Sequence, residues 1–156
     1  MVRTKGSRDV PIVFISSTVE DLKTYRAAAR DAAVGADFLL RMMEYFVASG
    51  AKPPLEECLA KVSETVVVVV IVAWRYGWIP PDQPGNGCKS ITWLECEQAI
   101  NENKEVLAFL IDEAHPWSEE YREEHEITKA IREQRVTPAL LETVQRNVAR
   151  LREFKA

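Results

Sequence analysis

The chain has 156 residues, a formal net charge of −4 and 47% hydrophobic side chains, which suits one domain with a sizeable core. The slightly acidic, mixed balance excludes a strong nucleic-acid footprint. No run is long enough to span a bilayer, and the opening MVRTKGSRD lacks the apolar stretch of a signal peptide.

Residues 1–10 are expected to be a flexible N-terminus. PIVFIS, Pro11 to Ser16, reads as a first strand. Ser17 or Thr18 can cap the following helix, with Glu20 and Asp21 in its first turn. That Ala-rich helix, VEDLKTYRAAARDAA, ends near Gly35. Phe38 to Phe46 makes a second strand, whose Arg41 and Glu44 meet water. Pro53 and Pro54 open a short helix through Leu55, Cys58, Leu59 and Val62, on helical spacing. VVVVVIVA, residues 66–73, is a third strand buried on both faces. A polar loop from Arg75 to Ser90 follows. The next helix runs from Thr92 to about Asn103, with Thr92 as N-cap and Glu95 at the capping-box position. Val106 to Ile111 is a fourth strand.

Alternating strands and helices with buried parallel strands predict a doubly wound α/β fold with a mostly parallel sheet of four to five strands. The expected order is 2-1-3-4, with the topological switch point between strands one and three. From Ser118 the chain becomes charged and helical. Thr137-Pro138 reads as N-cap and N1 of a last helix carrying Leu140, Leu141, Val144, Val148 and Leu151 on one stripe, with Phe154 nearby. The organisation is thus an α/β domain over 11–117 and a helical extension over 118–156, packed on the domain or on a partner. The chain stops without a C-cap, as a truncated module would.

Cys58, Cys88 and Cys96 are odd in number and lack zinc spacing, which suits a reduced, cytoplasmic chain. His115 and His125 form no triad or metal pattern, and both are expected in solvent. The acids between Glu119 and Glu126 read as a solvated helix face.

In open α/β sheets ligands collect beyond the carboxyl ends of the strands. The candidates there begin with Ser16, Ser17 and Thr18, joined by Asp21, where the first strand meets its helix. Backbone N–H groups at such a junction can hold a phosphate. No glycine-rich P-loop is present, which excludes a kinase or NTPase of that type. Arg75 can pair with a phosphate, Tyr76 or Trp78 can stack on a base, and Gly77 permits a turn. Ser90 and Trp93 flank the start of the Glu95 helix and join the ligand-binding set. Trp74, Trp78, Trp93 and Trp117 all fall at this edge, as a site for a planar ligand or an interface would require.

VFISSTVEDLKTYR, MEYF, RYGW and KSITWLECEQA ahead of VLAFL together resemble one bacterial family, a domain of unknown function related to TIR domains and nucleoside deoxyribosyltransferases. The resemblance covers residues 11–155. Its members look like N-terminal modules of larger proteins, ahead of NACHT-type NTPase or repeat regions. The resemblance implies a ribose-directed glutamate in a Glu-x-x-x-Ala pattern, followed by a basic residue and an apolar strand. Glu95, Ala99, Lys104 and Val106 match it, and Glu97 does not. One departure is Val66, where the family often begins its third strand with an acid.

Two readings follow. In the first, the chain is an effector that cleaves the N-glycosidic bond of NAD or a related nucleotide in bacterial defence, with no resident cofactor. Glu95 is then the catalytic carboxylate, since a fixed anion stabilises the cationic ribose of the transition state. In the second, the same fold is a non-catalytic signalling or adaptor module, and Glu95 only caps its helix. Either reading has self-association and the C-terminal domains of a longer parent as partners, and neither nucleic acid nor membrane.

Overall fold

The computed structural model describes residues 9–42 and 53–156. Four strands, β1 (Ile12–Ser17), β2 (Leu39–Met42), β3 (Val67–Val72) and β4 (Glu105–Leu110), pair in the order β2-β1-β3-β4. Every pairing is parallel. The helices are α1 (Lys23–Gly35), α2 (Leu55–Ser63), α3 (Ile91–Asn101), α4 (His125–Arg132) and α5 (Pro138–Lys155). This is the expected doubly wound sheet, with the Val-rich strand central. Among the described residues no helix is long and apolar enough to cross a membrane.

Period-two alternation divides the core between the two faces of the sheet. Phe14, Val68, Val70 and Val72 pack with Val62 of α2 and Ala99 of α3. Ile15 and Ile71 point the other way, to Leu22, Ala29 and Met42. Leu151 of α5 joins the first cluster beside Tyr76. The C-terminal helices therefore pack on the domain itself. In the predicted stripe Val144 and Leu151 are buried, while Leu140 and Val148 are half-buried. Thr137 caps α5 as expected, accepting from Leu140 N at 3.2 Å.

Helix starts depart from the sequence reading. The helix α1 begins at Lys23 and has no side-chain cap. Ser17 is still in β1, and its hydroxyl accepts from Arg26 Nη1 at 2.6 Å instead of capping. A turn closed by Leu22 N on Val19 O at 3.2 Å separates strand from helix, so Glu20 and Asp21 precede the first helical turn. The helix α2 is capped from a distance, by Asp82 Oδ2 accepting from Leu55 N at 2.8 Å. Of the predicted second strand, Leu39–Met42 is observed, and residues 43–46, with Glu44 and the MEYF motif, lie outside the described residues.

Val66 precedes β3 at the amino end of the sheet, where its N–H donates to Ile12 O at 2.9 Å. An acid in place of Val66 would sit at that end, away from the candidate site at the carboxyl edge.

Candidate functional site

Ser16 lies two residues after Phe14, so it points to the same face, toward α3. There its Oγ shares a hydrogen bond with Glu95 Oε2. Glu95 is 2% exposed, and its Oε1 has no partner. Burial pushes the carboxyl up to about 8, against the Ser16 hydrogen bond and the nearby Arg26 guanidinium, which both favour the ionised form. The hydroxyl donates when the carboxylate is charged, and the protonated acid can donate in the reverse direction.

The capping role expected of Glu95 is absent. Ser90, not Thr92, is the N-cap of α3, its Oγ accepting from Trp93 N at 3.4 Å. That shift of two residues moves Glu95 out of the capping box and turns it inward. Thr92 becomes a buried first-turn residue. Glu97 points elsewhere, accepting from Trp93 Nε1 at 3.1 Å and pairing with Lys89. The rest of the Glu95 pattern has plain physical reasons: Ala99 is fully buried against the sheet. Lys104 Nζ donates to Ser63 O at 2.8 Å and Thr65 O at 2.6 Å, satisfying carbonyls where α2 ends.

Tyr76 is a strut and not a free stacking surface. Its ring is 2% exposed, its hydroxyl donates to Cys88 O at 2.9 Å, and Ser90 N donates back to it at 3.1 Å. Ser90 is thus a fully buried cap. Gly77 has φ +88°, and a Cβ there would lie 2.9 Å from Thr18 Cγ2. Both the left-handed backbone and the contact resist a side chain, so Gly77→Ala is expected to cost about 1–3 kcal/mol, read as a lowered melting temperature. Trp78 packs beside Leu55, Cys58 and Ile91, under α2. Ser17 faces Arg26, on the opposite side of β1 from Ser16.

Trp93 meets Tyr76 edge-on, with centroids 6.5 Å apart, and stacks on Phe154 of α5 at 5.2 Å. The Trp74 ring carries two cations, Arg122 at 4.4 Å and Lys155 at 4.3 Å from its centroid. Thr18, Arg75, Tyr76 and Thr92 line a slit at the carboxyl end of β3, closed by Leu151 and Phe154. Its volume is about 10 Å³, room for at most one water. The α5 helix therefore fills the space beyond the carboxyl end of β3.

The structure thus gathers Ser16, Glu95, Thr18, Arg75 and Trp93 around one strand edge, with Gly77, Tyr76 and Ser90 as supports. It leaves Ser17 and Trp78 on other faces. Sequence reasoning passed over two polar residues. Glu123 was read as solvated, yet it is 8% exposed and accepts from Tyr76 N at 2.9 Å and Asn147 Nδ2 at 2.8 Å. Asn147 interrupts the apolar stripe of α5, and that interruption was the available signal. Asp21 is 7% exposed, and neither carboxylate oxygen meets a donor in full hydrogen-bond geometry. Burial raises its pKa, opposed first by the Thr18 side chain and its own backbone N–H and then by Arg75. His115 is exposed as expected, and His125, which begins α4, is half-buried.

The buried side-chain polar atoms without a partner, among the described residues, belong to Asp21, Trp74, Glu95, Trp117 and Asn147. They follow the ends of β1, β3 and β4 or sit on α3 and α5 nearby. Unsatisfied buried groups are rare and call for a reason, and this clustering marks the carboxyl edge. The family described as a domain of unknown function, DUF4062, matches residues 12–155. The chain belongs to the DUF4062 family. The match runs from the start of β1 to the end of α5, so the DUF4062 unit includes the helices that cover the strand ends. No curated protein matches the chain.

Proposed function

We propose that this DUF4062 domain is a TIR-like effector that cleaves the N-glycosidic bond of NAD or a related nucleotide when α5 moves off the strand edge. One observation carries the reading: a carboxyl group at the topological switch point, 2% exposed, held by Ser16 through one oxygen and unpartnered at the other. Perturbed, buried acids in such a place are functional candidates. In the proposed reaction the bond from ribose C1′ to the nicotinamide nitrogen breaks, and its electron pair leaves with neutral nicotinamide. Positive charge develops on the ribose, facing the Glu95 carboxylate. Water adds at C1′ and loses a proton, which Glu95 accepts and passes to solvent. Arg75 suits a phosphate and Trp93 the planar base, in the place where Phe154 now stacks. A cytoplasmic setting, a longer parent with NACHT-type or repeat domains, and a role in bacterial defence belong to this reading through the family resemblance.

The closed slit favours a second reading, a non-catalytic interaction module. Incubation with NAD, following nicotinamide release by chromatography, separates the two. Release by the full-length parent protein supports the enzyme. Absence of release from that parent, assembled and carrying Phe154→Ala to open the slit, sinks it.

A further inference from the structure

The Trp74 ring, two residues beyond β3, gathers charge of one sign. Arg122, ahead of α4, and Lys155, the last residue of α5, both stand over it and are half-buried. A tryptophan face attracts a cation, but two cations on one ring repel each other unless an anion joins them. Among the described residues neither has an ion pair. By contrast, Arg75, Lys89, Lys104, Arg135 and Arg150 each have a carboxylate partner. Burial lowers the Lys155 pKa, Glu113 opposes, and Arg122 adds to the lowering.

Beside the ring lies a cavity of about 110 Å³, with Trp74, Arg152 and Lys155 in its wall together with Glu113 and Glu124. That is room for several waters. Arg152 likewise has no ion pair among the described residues. The Trp74 indole N–H is buried and has no acceptor. Three cations and one N–H therefore gather here, and the two acids lie too far away to pair with them. Leu151 lines both this cavity and the slit at the end of β3, and so stands between the two.

We propose that Trp74, Arg122, Arg152 and Lys155 form a binding site for the phosphate group of a small ligand, separate from the Glu95 site. A dianion matches the two cations on the ring. A guanidinium can bond two phosphate oxygens at once, and the lysine adds a compact point charge. The ring already carries both cations, so the ligand is recognised through its phosphate and not through a stacked base. Glu113 and Glu124 oppose any anion here, so neutralising one of them should strengthen binding. The inference stands whether or not Glu95 is catalytic.

Isothermal titration of the chain with inorganic phosphate, at an ionic strength held constant with chloride, tests this. Saturable binding at one site is expected. The double change Arg122→Gln and Lys155→Gln should raise Kd by at least about tenfold, and Glu124→Gln should lower it about threefold. A merely structural role for these charges would not give opposite responses. Arg152→Gln, at an exposed position, serves as the cation variant if the double change fails to fold. Tighter binding of glycerol 3-phosphate would name a phosphate monoester as the ligand, and equal affinities the free anion. Absence of saturable binding with Kd below about 10 mM overturns the inference. So does unchanged affinity in a folded cation variant, or acetate binding as tightly as phosphate.

Discussion

Glu95→Gln is expected to abolish nicotinamide release and, in the same protein, to make stability less sensitive to pH. Gln can still accept from Ser16 Oγ but carries no charge to face a cationic ribose, so the loss should be on the order of 10²-fold or more. Glu97→Gln is the control, because Glu97 serves Trp93 and Lys89. The stability effect follows from the raised pKa. The unfolded carboxyl titrates near its ordinary 4.5, and the folded one near about 8. The folded state therefore holds the extra proton, and stability falls as pH rises between these values. Below 4.5 the group contributes its full stability, and above about 8 the loss is complete, on the order of a few kcal/mol. The Gln variant lacks this decline. Its amide N–H₂ inherits the unpartnered position of Oε1, which offsets part of the gain, so the firm expectation is the trend. Melting temperatures of the variant should rise relative to wild type from pH 5 to pH 8. Parallel curves would mean that Glu95 is ionised when folded. For an active parent protein, α5 has left the strand edge and the burial is partly relieved, so kcat/KM should climb with pH through a carboxyl value between the ordinary 4.5 and about 8.

Val144→Asp should be the most destabilising of the simple substitutions in α5. Val144 is 3% exposed, and the change buries an unpaired charge while removing two methyl groups. Losses of about 3–5 kcal/mol attend an uncompensated buried charge, and a domain of this size loses roughly 2–4 °C for each kcal/mol. Val148→Asp, at a half-buried position one turn on, should cost much less. Thermal melts followed by circular dichroism compare the two. Equal, small effects would mean that α5 is undocked in solution, and the slit beneath it open.

The strand framework was legible because Val and Ile runs between turn residues have few other fates. The starts of α1 and α3 were not, and the reason is local. SST and SIT each offer several hydroxyls that could cap a helix, and tertiary contacts choose among them. Arg26 claims the Ser17 hydroxyl, and the Tyr76 hydroxyl holds the Ser90 backbone. With the cap of α3 two residues earlier, Glu95 passes from a surface cap to a buried acid on Ser16. The capping reading of Glu95 falls with that shift, and its carboxyl meets Ser16 instead. Glu123 could not be told from its charged neighbours, since its burial depends on Asn147, a helix away. The closure of the slit by Leu151 and Phe154 was likewise hidden, because an apolar stripe does not say what it covers.

The order in which this sheet is completed bears on how the chain survives its own synthesis. Each strand is joined by a crossover, so no local hairpin protects the Val-rich β3 as it emerges from the ribosome. One side of β3 pairs at once with β1, and the other waits for β4. Until residues 105–110 are translated, an uncharged run of Val and Ile stands as a sheet edge, the composition that seeds cross-β aggregates. A ribosome that stalls within α3, or a gene fragment ended there, should therefore yield insoluble product, while a fragment ended just beyond β4 should be much less prone to it.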